Sequence, residues 1–146
     1  MNKIWSYWLL TYAELIYWLV GTSPEGYHLS KANAWSRIDN HRNAIKHLRS
    51  YLKYSDKPSM RWHLAYHLGC VGELPEAAEQ YAKAAAALNQ PVVRIGYAQA
   101  VLRLGDRHKA REIIGTLDRD HPQLEERLQT MRDELLHECA GEDAAR

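Results

Sequence analysis

An all-α chain, a solenoid of helical hairpins with an apolar helix ahead of the repeats and a capping helix behind them, is the fold class this sequence predicts. Three observations carry that expectation. The chain superposes on itself at a shift of 33 residues, as repeat architectures do. Proline-marked links recur at about the same interval, and no segment has the apolar-polar alternation of a strand.

The first element, "IWSYWLLTYAELIYWLVG" over residues 4–21, carries Glu14 as its only charge, and six of its residues are Trp or Tyr. It predicts a helix that needs a partner. As a membrane span it is marginal, because eighteen residues just reach across ~30 Å of hydrocarbon and a central Glu14 costs roughly 2.5 kcal/mol or more on insertion scales. As a secretion signal it is poor, with a charge in its apolar stretch and no small-x-small cleavage site in "LVGTSPEGY". Trp5, Trp8 and Trp18 near its ends suit interfacial anchoring. With Tyr12 and Glu14 they form the expected docking surface, for lipid or for protein.

Hairpins follow. Small residues recur at Ala32, Ala65 and Ala98 and again at Ala44, Ala77 and Ala110, positions where two helices can approach closely. Larger apolar residues recur at Leu48, Tyr81 and Ile114, and at Trp35, Leu68 and Val101 in the preceding helix. Asp39, Gly72 and Gly105 mark the break between paired helices, and Asn40 and Asp106 are suited to cap the second one. Between units, Asp56-Lys-Pro58, Asn89-Gln-Pro91 and Asp120-His-Pro122 each place a capping residue shortly before a proline that fits a helix's first turn, and Thr22-Ser-Pro24 makes a fourth. One further shift puts Thr11, Leu15 and Trp18 in the columns of Ala44, Leu48 and Tyr51, where a preceding unit's second helix would lie.

These columns resemble the tetratricopeptide repeat (TPR), a helix-turn-helix of about 34 residues with Ala-x3-aromatic in its second helix; here that reads Ala77-x3-Tyr81. The resemblance covers about residues 24–122 in three units, of which "RWHLAYHLGCVGELPEAAEQYAKAAAALNQP" is the best. It implies a right-handed solenoid, a non-catalytic adaptor role, and a groove lined by each unit's first helix. Carried over by column, that groove takes Leu29, Asn33 and Arg37, then Trp62, Tyr66 and Cys70, then Ile95, Gln99 and Arg103, with Trp62 and Tyr66 as anchors. Only Asn33 sits where the family's clamp for a terminal carboxylate would need it, so such a ligand is not expected.

Leu124, Leu128, Met131 and Leu135 form an amphipathic stripe that suits a capping helix. The expected division is thus 1–22 for the docking helix, 23–121 for the repeats, and 122–146 for the cap and its frayed tail.

Nineteen basic and eighteen acidic residues balance, which argues against nucleic acid as a partner. Charge is locally uneven: residues 31–61 hold eight Lys or Arg against two Asp. Arg42, Lys46, Arg49 and Lys53 follow i, i+4, i+7, i+11 along one helix face. This basic stripe reads first as a solvated face and second as a surface for an anionic membrane or acidic partner. It follows the apolar segment, so a positive-inside reading keeps the repeats cytoplasmic, peripheral to or anchored at a membrane.

The sequence has no phosphate-cradling glycine loop, nucleophile elbow, CxxC pair or HExxH, and no enzyme activity or cofactor is expected. His63, His67 and Cys70 have a spacing that fits a soft metal, with ordinary packing the favoured alternative. The expected function is an adaptor that holds a protein partner in its groove and docks through its N-terminal helix onto a membrane or membrane-protein complex. The alternative is a soluble assembly subunit or oligomer with that helix buried in a protein interface.

Overall fold

In the computed structural model, which describes residues 3–21 and 23–140 and omits the side chains of residues 3, 5, 6 and 9, the described residues form eight α-helices and no strand. They are α1 (Lys3–Val20), α2 (Pro24–Arg37), α3 (His41–Leu52), α4 (Pro58–Val71), α5 (Leu74–Ala87), α6 (Pro91–Arg103), α7 (Arg107–Asp120) and α8 (Glu126–Ala140). The chain divides into two compact units, Met1–Gly72 and Glu73–Arg146. That boundary falls inside the middle sequence repeat, between its two helices.

Local chemistry starts and stops these helices where the repeat places punctuation. Proline occupies the first turn of α2, α4, α5 and α6, where no intrahelical N–H is needed. The Ser23, Asn40 and Asp106 side chains cap α2, α3 and α7, accepting from the backbone N–H of Gly26, Asn43 and Lys109. Asp39, Gly72 and Gly105 share one column and one backbone conformation, with φ of 59°, 84° and 89°, which reverses the chain between paired helices. Pro122 departs from the pattern. It lies in an irregular link, and α8 begins only at Glu126.

Asp56 and Asn89 do not cap helices, because Lys57 and Gln90 hold the cap positions. Instead Asp56 receives both Nε and Nη2 of Arg61, at 2.5 and 2.8 Å, while Asn89 Oδ1 accepts from Arg94 at 3.2 Å. The two pairs are related by the 33-residue shift, so a side-chain latch across the first turn recurs with the repeat.

In the first unit, α2 packs on α1 and α3, and α3 packs on α4. Ala32, Ala44 and Ala65 are essentially inaccessible, which lets the helices close on one another around Ile45, Leu48, Tyr51, Leu64 and Leu68. In the second unit, α6 packs on α5, α7 and α8, with Ala98 and Ala110 equally buried beside Ile95, Ile114 and Leu117. Leu135 and Cys139 bring α8 into that core, with Leu124, Leu128 and Met131 packed along its edge. Arg111 Nη2 donates to the Cys139 carbonyl at 2.5 Å, tying down the end of the capping helix.

Candidate interaction surfaces

Helix α1 packs on α2 through Leu10, Ala13, Ile16 and Tyr17. Its position is set by Lys31 of α2, only 4% exposed, whose ammonium donates to the Leu10 carbonyl at 2.7 Å and to Glu14 Oε1 at 2.6 Å. A buried ammonium needs such acceptors. The same contact, through its hydrogen bond and charge, lowers the Glu14 pKa. Tyr17 stacks at a tilt on Tyr27, ring centroids 4.8 Å apart. Glu14 therefore ties α1 to its own unit.

The repeat phase places Thr11, Leu15 and Trp18 inward; the structure turns all three outward, Trp18 to 85% exposure. The cause is what surrounds the helix. Column residues such as Leu48 and Tyr51 lie on α3, which has helices on two sides, whereas α1 has α2 alone among the described residues. The expected docking residues Trp8, Tyr12 and Trp18 are exposed; the Trp5 side chain lies outside the described residues.

Between α1 and α2 lies a cleft of about 420 Å³. Tyr12, Ala13 and Ile16 form one wall, Gly26, Tyr27 and Ala34 the other, and Ser30, Asn33 and Arg37 line the α2 side at i, i+3, i+7. Those three are exposed and make no hydrogen bond or ion pair among the described residues. The cleft joins Tyr12 of the expected docking set to Asn33 and Arg37 of the expected groove set. Sequence reasoning missed Ser30, for which the spacing to Asn33 and Arg37 was the available signal.

The other groove residues differ in access. Leu29 and Trp62 are half-buried, and Tyr66 and Cys70 are exposed beside each other on α4. The Cys70 thiol, foremost, and then burial raise the Tyr66 pKa. In the second unit Arg103 is exposed and Gln99 half-buried, but Ile95 is fully buried and belongs to the core, not to a groove. The basic residues Arg42, Lys46, Arg49 and Lys53 are all exposed, opposite the buried Ala44, Ile45, Leu48 and Tyr51.

His67 is 3% exposed while His63 and Cys70 face out, and no three metal-ligating side chains converge among the described residues. Both His67 nitrogens are engaged: Nε2 lies 2.7 Å from Ser36 Oγ and Nδ1 2.9 Å from His41 Nδ1. Ser36 donates its hydroxyl proton to the Ala32 carbonyl at 2.8 Å. His67 Nε2–H must then donate to Ser36, leaving Nδ1 to accept from His41. Burial first, and the neighbouring His41 next, hold His67 at a pKa of about 4. A second imidazole pair, His28 and His47, meets Nδ1 to Nδ1 at 3.1 Å, and burial followed by His28 lowers His47 to about 4.

The fold is an all-α, TPR-like helical repeat. It is similar to the crystal structure of yeast Tom70, with a TM-score of 0.68 at 21% identity, over 84% of this chain and 26% of that one. This chain therefore spans about a quarter of Tom70's length. No family model matches, and no curated protein matches by sequence. Among the described residues, no helix is long and apolar enough to cross a membrane.

Proposed function

We propose that the chain is a non-catalytic protein-interaction adaptor in which the first unit carries the recognition surfaces. The observation that carries this reading is the α1–α2 cleft, where apolar walls run beside three exposed polar side chains, Ser30, Asn33 and Arg37, that have no protein partner among the described residues. A partner segment with a bulky apolar side chain next to an acceptor matches that arrangement: the apolar part leaves water and the acceptor meets Asn33 and Arg37. The outer face of α1 is an assembly surface, since uncharged exposed patches of this kind mark interaction sites.

Quantitative affinity purification with the full chain tests the cleft. Asn33→Ala with Arg37→Glu is expected to lose most of the partner recovered by the unmodified chain, at unchanged helical content. Equal recovery by both chains would sink the assignment.

Attachment to a membrane surface is a second reading, favoured by the exposed Trp8 and Trp18 of α1 and by the exposed basic face of α3. Sedimentation with vesicles containing phosphatidylserine tests it. Loss of binding in a chain with Lys46→Glu and Trp18→Glu is expected on that reading, and a chain that never sediments with vesicles rules it out.

A further inference from the structure

We propose that the open face of α1 is a two-fold interface with a second copy of this chain. The proposal rests on the reading of α1 as an assembly surface and commits it to one occupant.

Ile4, Trp8, Thr11, Tyr12, Leu15 and Leu19 are all exposed, and at 3.6 residues per turn they share one arc of about 100° on the helix. Tyr7 and Trp18, 58% and 85% exposed, lie just beyond its Thr11 edge. The face carries no charge, because Glu14 is turned to Lys31, and its one aliphatic hydroxyl, on Thr11, is returned to the Trp8 carbonyl at 2.9 Å. Its remaining polar groups, the Trp8 indole N–H and the Tyr12 hydroxyl, are the polar tips of otherwise apolar rings and would need partners at the rim of an interface.

Its size fits a dimer. Aromatic side chains carry ~150–250 Å² each, so the exposed part of this face comes to roughly 1,000 Å². That exceeds the ~300–600 Å² patch a typical monomer leaves open and matches the ~800 Å² per partner of a standard interface.

Its pattern is self-complementary. An antiparallel two-fold between residues 11 and 12 pairs each position with the one whose number completes 23. Ile4 then meets Leu19 of the second copy, Trp8 meets Leu15, and the small Thr11 meets the large Tyr12. Every position of the stripe finds another member of the stripe, with a large side chain set against a smaller one at the centre. The second helix also supplies what α1 lacks, a neighbour on the side away from α2.

The test is the mass of the full chain in detergent-free solution at micromolar concentration, by light scattering and sedimentation velocity. Twice the 16.9 kDa chain mass is expected, with Trp8→Glu plus Leu15→Glu returning it to one chain mass at unchanged helical circular dichroism. In a Cys70→Ser background, Thr11→Cys is expected to cross-link between copies under mild oxidation, since it lies at the axis. Ile4→Cys is not, since its two copies lie at opposite ends.

Cross-linking of both cysteine variants would overturn the antiparallel pairing, and a dimer indifferent to the double glutamate change would overturn the assignment to α1. A single-chain mass at every concentration overturns self-pairing. In that case binding of an apolar dye that disappears in the double glutamate variant keeps α1 as a surface for another protein. No dye binding by either chain overturns the assembly reading as well. A chain that remains single and sediments with phosphatidylcholine–phosphatidylserine vesicles places lipid on the face instead.

Discussion

At the scale of single residues, His67 is expected to make the first unit acid-sensitive. Its folded pKa of about 4 lies below the ordinary value of 6.5, so folding disfavours its proton. Its contribution is complete above pH 6.5, is lost as pH falls through the window toward 4, and changes no further below that. The full shift corresponds to roughly 3 kcal/mol as an upper bound. NMR titration of the imidazole signals should find His67 neutral well below 6.5, and a midpoint at the ordinary value would contradict the network with Ser36 and His41. Gly96, in the second unit, is constrained by packing instead: a Cβ there would lie 2.6 Å from the Tyr81 ring. Gly96→Ala should cost about 1–3 kcal/mol in urea unfolding, with part regained when Tyr81→Leu is added; an unchanged midpoint would show that the ring yields freely. Neither residue was legible beforehand. The spacing of His63, His67 and Cys70 put them on one side of α4, but the edge of the buried face runs between His67 and the other two. Gly96 had no signal of its own, because its role exists only where α6 meets α5.

At the scale of elements, the polar tie between α1 and α2 among the described residues is Lys31, which donates to the Leu10 carbonyl and to Glu14. Lys31→Met replaces the buried ammonium with an apolar side chain of similar length, and should weaken α1 docking by about 1–3 kcal/mol. Glu14→Ala should cost more, since it leaves the Lys31 charge buried with the Leu10 carbonyl as its remaining acceptor. Hydrogen exchange should show α1 amides losing protection in both variants while α3 and α4 keep theirs; the reverse order of cost would refute the account of the pair. The helix itself was legible, and so was its place beside α2. Its rotation was not, because α1 is apolar on nearly every side and only the neighbours present decide which side is covered. Ile95 was misplaced for a related reason. It shares a column with the half-buried Leu29 and Trp62, but α6 is packed by α5, α7 and α8.

At the scale of the whole molecule, the repeat columns anticipated most of the architecture because they record where helices must touch: all six alanines named from the 33-residue shift are buried. Periodicity does not record where compact units divide, and the boundary after Gly72 cuts across the middle repeat. That boundary gives the chain an unplanned optical asymmetry. All five tryptophans, at positions 5, 8, 18, 35 and 62, belong to the unit ending at Gly72, and the unit from Glu73 onward has none. Tryptophan emission therefore reports on the first unit alone, while far-ultraviolet circular dichroism reports on both. On heating, a gap between the two melting curves would reveal units that unfold separately, and coincident curves would reveal a single cooperative transition. With Trp8 and Trp18 in solvent, the emission should also shift to the blue when the outer face of α1 is covered, so the native chain carries its own reporter of assembly.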